Sequence, residues 1–145
     1  MAKIICFEGA HGSGKGTLIS ALQEKLGACY SGNFDVFRDS EYPAFEEVKR
    51  DIREGKLREK TKIISTVARV RAQVYRDHIF SVLEGLDLAL LDRSYYTSAV
   101  WQADSYEEMN EVIQANENEG VPRADLAFML FASPEVIMSR LDFIK

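Results

Sequence analysis

The chain has 145 residues, enough for one domain with a buried core. Its 46% hydrophobic and 28% charged residues are ordinary for a globular protein. A net charge of −5 argues against nucleic-acid and membrane-surface partners, and no apolar run approaches the roughly 20 residues that span a bilayer.

The apolar run Ile4-Ile5-Cys6-Phe7 predicts a first strand over Lys3–Glu8. Leu18, Leu22 and Leu26 share one helical face, so a helix follows over Gly14–Leu26, with Gly27 as its stop. A second strand ends near Phe37. Phe45, Val48 and Ile52 predict a helix over Tyr42–Glu54, closed by Gly55. A long helix is expected over Lys60–Glu84, apolar on more than one side. That pattern suits a core helix under the sheet or a helix-on-helix homodimer. Leu86–Leu91 reads as a buried parallel strand. A helical stretch then starts near Thr97, and an acidic helix covers Glu107–Asn116. Leu126–Phe131 reads as another buried strand. Ser133-Pro134-Glu135 combines a cap, a first-position proline and a first-turn acid, so a last helix runs from there to the chain end. Cys6 and Cys29 carry no secretory signal before them, which points to free thiols in a reducing, cytoplasmic setting.

Strands alternating with helices imply an α/β domain with a parallel sheet. Ligands of such sheets sit beyond the carboxyl ends of the strands. Between the first strand and first helix stands Gly9-Ala10-His11-Gly12-Ser13-Gly14-Lys15-Gly16-Thr17. Gly9, Gly14 and Lys15 fit G-x-x-x-x-G-K-[ST], except that Gly16 takes the hydroxyl position and Thr17 follows it. Small residues let backbone N–H groups curl around an anion, and the helix N-terminus adds positive potential. The loop from Gly9 to Thr17, with Gly12 and Ser13 inside it, is therefore expected to bind the phosphates of a nucleotide, with Lys15 reaching the β- and γ-phosphates.

After the third strand stands Asp92-Arg93. A carboxylate there is placed to hold Mg²⁺ directly or through water, and the arginine to clamp an anion. The competing reading is a local ion pair or helix cap. After the second strand stands Arg38-Asp39-Ser40, where Asp39 either serves the site or caps the next helix. Arg50, Arg53, Arg69, Arg71 and Arg76 lie on helices and read mostly as solvated faces, with Arg71 the exception. Trp101 and Tyr106 read as packing residues and His78 as structural. No Asn-Lys-x-Asp occurs, which disfavours guanine-specific switches.

Taken together, Phe7-Glu8-Gly9, Arg38-Asp39-Ser40, Arg71 about twenty residues before Asp92-Arg93, Thr97, Trp101-Gln102, and Asp125-Leu126-Ala127-Phe128 before Ser133-Pro134-Glu135-Val136 resemble a thymidylate kinase, one of the P-loop nucleoside monophosphate kinases. The resemblance covers nearly the whole chain. It implies a three-layer P-loop kinase fold in a single domain over residues 1–145, with a parallel sheet flanked by helices. The family's lid and last strand lie beyond Lys145, so the domain is expected to be C-terminally incomplete.

The resemblance also implies transfer of the γ-phosphoryl of ATP to a nucleoside monophosphate, most often dTMP. Lys15, Asp39, Asp92 and Arg93 would serve catalysis, and Asp92, with Thr17, would hold Mg²⁺. His11, Arg50, Arg71, Arg93 and Gln102 would face the acceptor. Three positions depart from the family. His11 replaces a carboxylate and is either an acceptor donor or a solvent-facing loop residue. Val67 stands where the family stacks an aromatic on the base. Gly16 has no side chain to ligate Mg²⁺. Two other readings stay open. Asp92-Arg93-Ser94 is similar to the Glu-Arg-Ser of deoxynucleoside kinases, which act on a free nucleoside with a carboxylate base. The third is an ATP-binding module without turnover.

Overall fold

A computed structural model describes residues 2–142. Four strands, β1 (Lys3–Gly9), β2 (Phe34–Phe37), β3 (Leu88–Asp92) and β4 (Leu126–Leu130), form one sheet in the order β2-β3-β1-β4. Every pairing is parallel. The register sets Phe7 opposite Asp92 on one side and opposite Phe128 on the other. The loop after β1 and the turn after β3 therefore emerge side by side, as a parallel sheet requires of a ligand site.

Period-two alternation explains the three layers. Ile4 and Cys6 of β1 join Ala89 and Leu91 of β3 in the larger core, beneath the long helical segment. Phe7 and Leu90 turn the other way onto Ile19 of α1 (Lys15–Cys29). Both faces of β1 and β3 are covered, so these strands read as continuous apolar runs.

The sequence expectations hold for most elements, with four corrections. α1 passes through Gly27 and ends at Cys29, where the N–H of Tyr30 donates to the Leu26 carbonyl at 2.8 Å. Glycine lowers helix propensity by only about 1 kcal/mol, so a stop needs a left-handed turn that is not made here. α5 (Tyr95–Gln102) starts two residues before Thr97, because Ser94 caps it by accepting from the N–H of Tyr96. Tyr106, at the start of α6 (Tyr106–Asn118), is 73% exposed and does not pack. Among the described residues β4 lies at the edge of the sheet and is not the buried strand expected. Leu126, Phe128 and Met129 remain about half exposed among the described residues.

α2 (Pro43–Arg53) ends as expected before Gly55, which sits at φ +69°. The long helical segment consists of α3 (Lys60–Val74), a π turn (Tyr75–Ile79) and α4 (Phe80–Leu83). Its Val67, Val74, Ile79 and Leu83 belong to the protein's own core, which matches the core-helix reading of its apolar faces. α7 (Pro134–Asp142) begins at the expected cap. Its expected continuation to the chain end lies outside the described residues. No described helix is long and apolar enough to cross a membrane.

Candidate functional site

The phosphate loop owes its shape to glycine. Gly9, Gly12 and Gly14 have φ of +147°, +81° and +100°. A Cβ at Gly9 would also lie 2.6 Å from the Leu130 carbonyl oxygen, so that position cannot carry a side chain without moving β4. Lys15 is 6% exposed and folds back over the loop. Its Nζ donates to the carbonyls of Gly9 at 2.8 Å and Ala10 at 3.0 Å. Burial, and then the neighbouring Arg93 charge, hold its ammonium below the usual lysine range. An incoming phosphate would offer this desolvated ammonium a counter-charge. The Ser13 Oγ is buried inside the loop without a partner. Gly16 and Thr17 are exposed at the mouth, and a Cβ at Gly16 would meet nothing within 4 Å.

Above the loop opens a cleft of about 800 Å³. Its walls include His11, Lys15, Thr17, Arg38, Asp92 and Arg93. Asp92 shares one oxygen with Arg38 at 2.7 Å, while its Oδ1 is buried without a partner. Among the described residues no group of three His, Cys, Asp or Glu side chains is placed to hold a metal ion by itself. Mg²⁺ in nucleotide sites takes one or two carboxylates and completes its shell with phosphate oxygens and water. The free Asp92 Oδ1 and the exposed Thr17 hydroxyl fit that donor set.

A second cavity, of about 330 Å³, lies between α2, α3 and α5. Arg71, 3% exposed, forms its floor. The Arg71 Nε donates to Asp39 at 2.7 Å, Nη1 to Asn116 at 2.7 Å and Nη2 to Ser98 at 2.9 Å. Its guanidinium also sits 5.3 Å from the centroid of the Phe45 ring. A guanidinium has five N–H donors, so two remain beyond these three bonds. Gln102 lines the same cavity, and its Oε1 is buried without a partner. Val67 forms part of the wall, and so does Trp101, which at 80% exposure is not the packing residue expected.

Asp39, Arg71, Arg93 and Gln102 thus meet at the second cavity, while Lys15, Asp92, Arg93 and His11 meet at the first. Arg50 is not brought in. It is exposed on α2, lies 3.7 Å from Glu47, and is displaced from the cavity by its neighbour Lys49. Helical rotation of about 100° per residue accounts for the difference. Asp39 faces Arg71 rather than the phosphate-loop cleft, so no metal-water contact is shown for it. Arg53, Arg69 and Arg76 are exposed, as expected of solvated faces. His78 stacks on Tyr42 with centroids 5.0 Å apart, as a structural residue would.

Sequence reasoning missed several residues. Glu8 is 2% exposed and accepts from the N–H of Ser94 at 2.8 Å, from its hydroxyl at 2.7 Å, and from the Thr97 hydroxyl. Arg140 of α7 donates to the Gly12 carbonyl at 2.8 Å and enters the phosphate-loop cleft. The pairings Arg38–Asp92 and Arg71–Asn116 are likewise long-range. The one local signal was Glu8 itself, an acid at the end of an apolar strand.

Residues 4–140 match the family model described as AAA domain. A thymidylate kinase of Leptospira borgpetersenii serovar Hardjo-bovis is 27% identical over 137 residues, which is 94% of this chain and 67% of that protein. A thymidylate kinase of Leptospira interrogans serovar copenhageni is 26% identical over 138 residues, 95% of this chain and 68% of that one. The chain therefore spans about two thirds of the length of these relatives. The crystal structure of thymidylate kinase from Ehrlichia chaffeensis superposes with a TM-score of 0.73 at 19% identity, covering 97% of this chain and 82% of that one. A family match over almost the entire described chain agrees with the loop built at the end of β1: the protein belongs to the AAA-domain family of phosphate-loop proteins and has the fold of a thymidylate kinase.

Proposed function

We propose that this protein transfers the γ-phosphoryl group of ATP to a nucleoside monophosphate, with dTMP as the first candidate because the sequence relatives are thymidylate kinases. One observation carries the reading. Arg93 borders both the phosphate-loop cleft and the Arg71 cavity, so a cation stands where two anionic substrates would meet. Two phosphates repel each other, and transfer between them needs positive charge held at their junction in a fixed geometry.

In this reading the loop amides from Gly12 to Thr17, with Lys15, bind and orient the ATP phosphates. Arg71 and Arg93 bind the acceptor phosphate, joined by Lys49 in place of Arg50. Asp39 fixes Arg71 in its orientation, and Gln102 meets the base or sugar. His11 lines the phosphate-loop cleft and the cavity beside Trp101, not the Arg71 cavity, and in this reading it would donate to the acceptor from that rim. Mg²⁺, held by Asp92 with Thr17 in support, would neutralise charge on the phosphates. The domain acts as a single unit, and a cytoplasmic setting suits the free thiols Cys6 and Cys29.

The free-nucleoside alternative needs an available carboxylate base, and Asp39 is instead paired with Arg71 at 2.7 Å. The deciding measurement is ADP release from ATP and Mg²⁺ against a panel of nucleoside monophosphates. Turnover is expected only with a monophosphate present, and Lys15→Ala is expected to abolish it. Turnover with thymidine and none with dTMP would select the nucleoside reading. Tight ATP binding without turnover for any acceptor would leave a non-catalytic module.

A further inference from the structure

α6 packs against α3 and α5 and buries Val112 beside Ile64 and Ala99. One turn on, the same face carries Asn116, a polar side chain only 1% exposed. An amide left unpaired at such a place would be costly. This one is paired at both ends. Its Nδ2 donates to the Val112 carbonyl at 2.8 Å, and its Oδ1 accepts from the Arg71 Nη1 at 2.7 Å. A guanidinium only donates and a carbonyl only accepts, so the amide has one orientation that satisfies both. Asn116 stands behind the Arg71 cavity without lining it, and reaches that site only through Arg71. The last turn of α6 is itself tied down. The Asn116 carbonyl accepts from the N–H of Val121 at 3.1 Å, and Glu117 accepts from the Tyr95 hydroxyl at 3.1 Å and the Arg123 Nε at 2.8 Å.

We propose that Asn116 is the positioning residue of Arg71: it aims the guanidinium into the cavity and, as an uncharged partner, leaves the positive charge available to an anionic acceptor. The inference rests on reading this cavity as the acceptor site. Nε, Nη1 and Nη2 of Arg71 each use one N–H, on Asp39, Asn116 and Ser98 respectively. One N–H therefore remains on each terminal nitrogen. Three acceptors from separate parts of the chain leave the planar fork little room to rotate, so the two remaining donors keep a fixed direction. Asp39 already places a full negative charge 2.7 Å from the Arg71 Nε, and the pair is neutral as a whole. A carboxylate at position 116 would hold Arg71 as firmly and make the group net negative. In a site shielded from water that charge would repel a monophosphate. The amide supplies the hydrogen bond without the repulsion.

Asn116→Asp keeps the size of the side chain and the oxygen that faces Arg71, and it sets its new charge against an existing one, so it should fold. It is expected to raise the acceptor KM on the order of ten- to hundredfold with the ATP KM unchanged. Asn116→Ala loosens the aim without adding charge. It is expected to raise the acceptor KM on the order of three- to tenfold and to lower kcat, because the acceptor is held less well in line. In an Arg71→Met background Asn116→Ala is expected to change neither constant further, since it acts only through Arg71. An effect that added in full there would mark a general packing defect and overturn the proposal. An acceptor KM untouched by Asn116→Asp, or ATP and acceptor KM raised alike, would also overturn it, while turnover of the parent protein with a monophosphate kept the kinase reading. Turnover with thymidine and with no monophosphate would overturn both, because an uncharged acceptor has no use for the spared charge. If no acceptor turned over, calorimetry with dTMP makes the same comparison. Weaker binding to Asn116→Asp than to the parent supports the proposal, equal binding overturns it, and no binding to the parent overturns both.

Discussion

Arg93 is the only non-glycine residue with positive φ among the described residues, at +73°. Its backbone N–H is fixed to the Phe7 carbonyl at 3.0 Å, so the strand pairing holds the residue in that conformation. The left-handed region costs a side-chain-bearing residue about 1–2 kcal/mol. Its Nε is buried without a partner, a second cost that a bound phosphate would repay. Two substitutions separate charge from strain. Arg93→Ala removes the guanidinium and keeps the strain, whereas Arg93→Gly removes both. Arg93→Gly should be the more stable in urea by about 1 kcal/mol. Both should raise the acceptor KM more than the ATP KM in steady-state assays. A loss confined to ATP would mean that the acceptor side has been assigned wrongly. The sequence marked Arg93 by its place after an apolar strand. It could not mark the backbone, because no glycine or asparagine signals the left-handed turn. Asp39 and Arg71 were legible one at a time, as an acid at a strand end and a helix arginine. Their pairing depends on contact between residues 32 apart, which no local pattern encodes.

At the level of elements, α5 carries Ser98, Trp101 and Gln102 into the Arg71 cavity, and Glu8 holds α5 in place. The carboxylate at the end of β1 receives three donors from the first turn of α5, so strand and helix are joined through one buried side chain. Glu8→Ala would strand those donors away from water. Each hydrogen bond to a charged group contributes about 1.5–3 kcal/mol, so a loss of about 3 kcal/mol or more is expected in urea unfolding. Glu8→Gln keeps the shape but turns an NH₂ toward hydroxyls or the Ser94 N–H. It should fold, bind ATP normally and show a raised acceptor KM, because the helix that bears the acceptor contacts has lost its anchor. Equal losses for ATP and acceptor would argue against that coupling. The strand–loop–helix unit around Lys15 was legible because its chemistry is local: an apolar run, then two glycines and a lysine at fixed spacing. β4 was misread as buried because an apolar run reports composition and says nothing of which sheet edge it occupies. The π turn at Tyr75–Ile79 was also invisible. It inserts an extra residue in one turn and so keeps Val74, Tyr75, Ile79 and Leu83 on the core side of one helical segment.

Across the whole molecule the two clefts are built by different layers. The phosphate-loop cleft rests on β1 and α1, backed by Phe7, Ile19 and Leu90. The Arg71 cavity rests on α2, α3 and α5, in the layer of the larger core, and meets the first cleft at Arg93. Each ligand should therefore stabilise the fold through its own set of contacts, with Arg93 as the shared member. A ligand present at a hundred times its dissociation constant adds about 2.7 kcal/mol. For a chain of this size that corresponds to a rise in Tm on the order of 5–10 °C. ATP alone and dTMP alone should each produce such a rise in thermal melts. Lys15→Ala should remove the ATP shift and spare the dTMP shift. Arg93→Ala should reduce the dTMP shift more than the ATP shift, and the two ligands together should fall short of additivity in that variant. If Lys15→Ala abolished both shifts equally, the two cavities would have to be one binding site, and the separation of donor and acceptor between the two layers would be wrong.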